Sequence, residues 1–92
     1  MTTTSTPEGA ALVLQHALDE IANAGRSTPC QADPNPFTSD DPEERQEAAE
    51  ACAGCPVLLA CRHYAQTAEE PFHVWGGIDH TELARAERRA AA

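Results

Sequence analysis

The chain has 92 residues and a mass of 9.8 kDa, and its 15 Asp and Glu against six Arg and no Lys give a formal charge of −9. That balance works against nonspecific association with nucleic-acid phosphates or anionic membranes, and no segment approaches the roughly 20 apolar residues of a transmembrane helix. A domain this small buries only about 60 to 65% of the surface its unfolded chain exposes, so a staple such as a bound metal is expected to supplement the core.

Residues 1–7 are Thr-rich and expected to be disordered. They place no basic residue ahead of an apolar stretch, unlike a secretory signal, so the default location is the reducing cytoplasm. A first helix is predicted from Glu8 to about Asn23, because Leu14, Ala17, Leu18 and Ile21 recur on one helical face. Gly25 offers its left-handed cap.

Ser27-Thr28-Pro29 then leads into Cys30. Pro34, Pro36 and Pro42 follow closely and predict a loop without regular structure that tethers Cys30. Asp41-Pro42-Glu43-Glu44 reads as a helix opening, with a capping Asp, Pro in the first turn and acids facing the positive end of the helix dipole. This second helix is predicted to run to about Cys52, its acidic run a solvated face. A third helix is predicted from Pro56 to about Gln66, with Cys55 at its cap and Cys61 about one and a half turns inside. That placement exposes the cysteines to free N–H groups and favours thiolates. Glu69-Glu70-Pro71 ends this helix. Gly76 and Gly77, after Trp75, mark a tight turn needing positive φ or close backbone approach. Asp79 caps a final, largely solvated helix from His80 to about Ala90, in which Leu83 is nearly the only large apolar residue. No strand is predicted, and residues 8–90 are read as one domain, with 91–92 a tail.

The four cysteines are spaced Cys30-x21-Cys52-x2-Cys55-x5-Cys61. Four thiolates complete the first shell of a structural zinc or an iron–sulfur cluster, and a Cys-x2-Cys pair is a common clip for either. One clip flanked by two single cysteines is closer to iron–sulfur spacing than to the two-clip layout of zinc sites. Spacing alone leaves iron–sulfur, zinc and disulfides open. His16, His63, His73 and His80 are not needed as ligands. Trp75 reads equally as a core anchor or as a partner-binding residue. Arg85, Arg88 and Arg89 are candidate DNA contacts, but Glu82 and Glu87 dilute their charge, and a solvated face is the simpler reading. The sequence has no glycine-rich phosphate loop and no nucleophile elbow, so neither an enzyme nor a small-molecule substrate is expected. A thiol–disulfide reductase using Cys52 and Cys55 would normally come with strands.

The cysteine spacing, the Cys52-x2-Cys55-Pro56-Val57-x3-Cys61 core and the Val74-Trp75-Gly76-Gly77 turn together resemble the WhiB-like family of actinobacterial and actinophage regulators, over about Cys30 to Arg85. The resemblance implies an all-α fold of about four helices organised around one [4Fe–4S] cluster per chain, held by Cys30, Cys52, Cys55 and Cys61. It implies transcription regulation by docking on the C-terminal domain of the principal sigma factor of RNA polymerase. It further implies response to oxygen or nitric oxide, and a cluster-free form that makes intramolecular disulfides and contacts promoter DNA. On that reading Phe72, Val74, Trp75, Gly76 and Gly77 form the partner surface. The family turn usually reads Gly-Val/Ile-Trp-Gly-Gly, whereas this chain has His73 in place of the first glycine. Its end, Ala84 to Ala92, lacks a Lys/Arg-rich tail, so weak DNA contact and action through protein contact are expected. The alternative is a zinc-binding interaction module.

Overall fold

A computed structural model describes residues 6–91. The expected disorder of the amino terminus falls outside these residues for positions 1–5, as does the last tail residue, position 92. Thr6 and Pro7 belong instead to the first helix, α1 (Pro7–Asn23): the Thr6 hydroxyl accepts the Gly9 N–H at 3.0 Å, and Pro7 occupies the first turn. α1 ends as expected at Gly25 (φ +76°), where the Gly25 and Arg26 N–H groups return to the carbonyls of Ala22 and Ile21.

The proline-rich stretch is more ordered than its composition suggests. Thr28 caps a single helical turn, α2 (Pro29–Ala32): its hydroxyl accepts the Gln31 N–H, and the Gln31 side chain accepts the Thr28 N–H. Asn35–Thr38 form a 3-10 turn that buries Phe37. Proline cannot sit in a helix interior, but it suits the first turn, and each short turn here carries one there.

α3 (Pro42–Ala51) opens on the Asp41 cap and runs into a 3-10 turn over Cys52–Gly54. α4 (Leu58–Thr67) begins two residues later than predicted, because Pro56 and Val57 form a turn in which the Leu58 N–H bonds to the Cys55 carbonyl. Cys55 is therefore extended and outside the helix, and Cys61 lies in the first turn. α4 closes without glycine, on Glu69 at φ +54°.

The absence of strands predicted from sequence is corrected by a small hairpin. β1 (Val74–Trp75) pairs antiparallel with β2 (Ile78–Asp79), Val74 opposite Asp79 and Trp75 opposite Ile78. The two residues between, Gly76 (φ +57°) and Gly77 (φ +82°), both take the positive φ that a tight two-residue hairpin turn demands. α5 (His80–Ala91) follows at once.

The rest is helical, as the all-α prediction holds. α1 packs along α4, and α3 packs against both the Phe37 turn and the hairpin. The core is small, with Phe37, Ala48, Cys52 and Val74 at its centre and Ala49 and Leu58 at its edge. One ion pair ties the far ends together. Arg45, 1% exposed on the mostly solvated α3, donates from Nε to both Asp79 carboxylate oxygens at 2.9 and 3.0 Å, and from Nη1 to the Ser39 carbonyl. Asp79 also accepts the Glu82 N–H and so caps α5. Removing one member of so buried a pair strands the other charge.

Candidate metal centre

The four cysteines come from three separate pieces of backbone: Cys30 from α2, Cys52 and Cys55 from the turn after α3, and Cys61 from α4. The fold brings all four onto the wall of one cavity of about 340 Å³, otherwise lined largely by apolar groups that include Leu14, Leu18, Phe37 and Trp75. All four are free thiols, Cys52 buried, Cys55 and Cys61 half-buried and Cys30 exposed. Among the described residues no group of three or more His, Cys, Asp or Glu side chains converges as around a single ion. The four cysteines share the wall of one cavity instead.

Local chemistry holds each sulfur differently. The Cys30 Sγ lies 3.1 Å from the Thr28 hydroxyl, whose oxygen already accepts the Gln31 N–H and whose proton is therefore free to point at sulfur. Thr28 is itself 2% exposed, so this hydroxyl is fixed from behind. Burial pushes the Cys52 thiol above its ordinary range and the Cys61 thiol up to about 11, and the other sulfurs reinforce both shifts. Backbone hydrogen bonds from Gly77 to Cys52 and from Gly76 to Cys61 oppose the rise, and the Arg62 charge opposes it at Cys52. At these two positions burial works against the thiolates that the sequence leads one to expect. Desolvation dominates, and the opposing N–H groups come from the Trp-Gly-Gly turn.

That turn is part of the same wall. Trp75 is half-buried, its ring 5.5 Å from Tyr64 and its Nε1–H bonded to the Phe72 carbonyl at 3.0 Å. Val74 and Gly76 are buried and Gly77 half-buried, whereas Phe72 is 53% exposed. One side of the turn packs inward while Phe72 faces solvent.

Of the histidines, His73 lines the cavity, His16 lies 3.4 Å from Glu20 on exposed α1, and His80 donates from Nδ1 to the Glu70 carbonyl at 2.8 Å. Arg85, Arg88 and Arg89 are exposed on α5, and Arg89 is paired with Glu82 at 2.9 Å. Sequence reasoning missed Thr28, Arg45 and Arg62. Thr28-Pro29 was legible as a helix start, but Arg45 and Arg62 find their partners 34 and 14 residues away, where no local pattern points.

A family model described as "Transcription factor WhiB" matches residues 24–90. The transcriptional regulator WhiB of Streptomyces coelicolor is 30% identical over 79 residues, which cover 86% of this chain and 91% of that protein. The transcriptional regulator WhiB2 of Mycolicibacterium smegmatis is 36% identical over 63 residues, 68% of this chain and 49% of that protein. The redox- and pH-responsive transcriptional regulator WhiB3 of Mycobacterium tuberculosis is 45% identical over 40 residues, 44% of this chain and 39% of that protein. No solved structure is significantly similar to the chain. The matched span takes in all four cysteines, the hairpin turn and nearly all of α5, and on that footing the chain belongs to the WhiB family of transcription factors.

Proposed function

We propose that the chain is a redox- or nitric-oxide-responsive regulator of transcription that holds one [4Fe–4S] cluster on Cys30, Cys52, Cys55 and Cys61. Its route of action on this reading is contact with the C-terminal domain of the principal sigma factor, in the cytoplasm. The observation that carries the proposal is that one apolar cavity has all four thiols on its wall with Trp75 and Gly76 beside them. Four thiols spread over the wall of one cavity suit a polynuclear group better than a lone ion. When bound, the cluster supplies one-electron chemistry and a centre open to attack by oxygen or nitric oxide.

The chain's own groups have definite tasks. Cys52 and Cys61 must give up protons that burial makes hard to remove, so loading releases protons and is favoured by rising pH. The Thr28 hydroxyl and the Gly76 and Gly77 amides meet three of the four sulfurs. Leu14, Leu18 and Phe37 limit the access of water. Cys30 belongs to α2, so its thiolate is the tether by which that segment is held to α3 and α4. Phe72 and Trp75 offer the partner an aromatic surface, and buried Val74 supports it from below. Promoter DNA contact through Arg85, Arg88 and Arg89 is secondary, given a formal charge of −9. A reductase using Cys52 would require a lowered thiol pKa, and burial raises it.

The test is iron, sulfide and zinc content with the visible spectrum of protein purified without oxygen, before and after air or nitric oxide, followed by sigma-domain binding. About four irons per chain, a broad band that bleaches on exposure and binding lost with the band are expected. About one zinc with a featureless, stable spectrum would make the cysteines a structural clip.

A further inference from the structure

The peptide group joining Gly76 to Gly77 stands between a cation and a cysteine sulfur. Its carbonyl oxygen accepts from Arg62 Nε at 2.9 Å. In a trans peptide the N–H points the opposite way, and this N–H, of Gly77, hydrogen bonds to Cys52. The preceding N–H, of Gly76, meets Cys61. One side chain therefore grips the turn that carries both donors.

The fit around Arg62 is close enough to be directional. A Cβ added at Gly76 would stand 2.5 Å from the Arg62 N, Cα and Cβ, and one at Gly77 would meet Arg62 Nη2 at 3.3 Å. The turn thus lies directly on Arg62. A guanidinium bonded to a carbonyl polarises that peptide, which strengthens its N–H as a donor, and charge-assisted bonds are roughly twice as strong as neutral ones. Arg45, the buried cation, is committed to Asp79 and Ser39, and Arg85, Arg88 and Arg89 are exposed on α5.

We propose that Arg62 is a positioning residue of the metal centre: it holds the Gly76–Gly77 peptide so that both glycine amides meet cysteine sulfur, and through that peptide it couples the charge on the sulfurs to the conformation of the Trp75 turn. The inference rests on the reading of the cysteines as cluster ligands. Withdrawing electron density from Cys52 through this relay favours the reduced cluster, and loosening the relay frees Trp75.

The experiment compares wild type, Arg62→Met and Arg62→Lys, each purified without oxygen and checked for fold by far-ultraviolet circular dichroism. The reduction potential, the rate of iron release to a chelator and the acrylamide quenching of Trp75, the sole tryptophan, are measured, the last also on metal-free protein. Arg62→Met is expected to lower the potential, to release iron about 10- to 100-fold faster and to expose Trp75 to quencher. Arg62→Lys keeps the charge without the planar Nε–H, so it should fall between the two in potential but resemble Arg62→Met in quenching. A folded Arg62→Met with wild-type potential and quenching would overturn the proposal, as would Arg62→Lys indistinguishable from wild type. Should Arg62→Met not fold, Arg62→Lys decides on the same readouts. If wild type holds no iron, the cluster reading itself fails, and Trp75 quenching in the metal-free set still decides whether Arg62 holds the turn.

Discussion

His73 adopts φ +75°, a left-handed conformation uncommon for a residue with a side chain. It stands where the family turn carries glycine, and the backbone keeps the glycine-like geometry. The neighbours require it: the His73 N–H donates to the Thr81 hydroxyl at 2.9 Å and its carbonyl accepts the His80 N–H at 2.9 Å, fixing the start of β1 against α5. Both bonds involve backbone atoms of residue 73 and survive substitution. His73→Gly should therefore stabilise the fold by up to about 1 kcal/mol, the left-handed strain relieved less the extra chain entropy of glycine, seen as a higher urea midpoint at equal metal content. A lower midpoint would show that the imidazole, whose ring lies 6.3 Å from that of Phe72, contributes more than the strain it imposes. The sequence identified position 73 as unusual, but its conformation follows from partners on α5.

At the scale of elements, helix ends were the legible feature. Thr6, Asp41 and Asp79 each accept a backbone N–H near a helix start, and the Gly25 cap closes α1 where it was expected. The shift in the start of α4 arose because Pro56 can open a helix or sit in a turn, and the Cys55 carbonyl captured the Leu58 N–H first. The hairpin escaped the pattern because two residues per strand are too few to show alternation. Two glycines separate what a turn needs from what packing needs. Gly25 and Gly76 both have positive φ, but a Cβ at Gly25 meets nothing within 4 Å, whereas one at Gly76 would stand 2.5 Å from the Arg62 backbone. Gly25→Ala should cost about 1 kcal/mol, and Gly76→Ala about 2 to 5 kcal/mol with loss of metal retention. Equal urea midpoints for the two variants would refute the close approach.

For the molecule as a whole, a small core and a cavity bordered by thiols make stability depend on the state of the cysteines. Leu12 and Leu59 are 70% and 73% exposed, so much of the larger apolar surface stays outside the core. In metal-free protein the raised Cys61 pKa gives a definite sign. Above about pH 9 unfolded thiols ionise while the folded Cys61 keeps its proton up to about 11, so the folded chain binds more protons across this window. Folding stability that is fully present below about pH 9 should fall as pH rises towards 11. Urea unfolding of metal-free wild type and Cys61→Ser at stepped pH measures it, with a shallower decline expected for the serine variant. Stability that rises across the window would mean that the fold favours the thiolates.

The sequence by itself determined the helical class, most helix boundaries, the candidate ligand set and the turn at Gly76 and Gly77, because these depend on intervals of a few residues: helical periodicity, caps, and the φ freedom of glycine. The family followed from the same local signals, read as cysteine spacing and the Trp-Gly-Gly turn. Tertiary structure alone decided that Arg45, turned inward from the mostly solvated α3, anchors the hairpin, that burial raises the Cys52 and Cys61 thiols against the Gly77 and Gly76 hydrogen bonds, and that Arg62 holds the turn carrying those amides. Those outcomes depend on which groups meet across 14 to 34 residues of chain and on how much water they exclude. A linear pattern carries neither quantity.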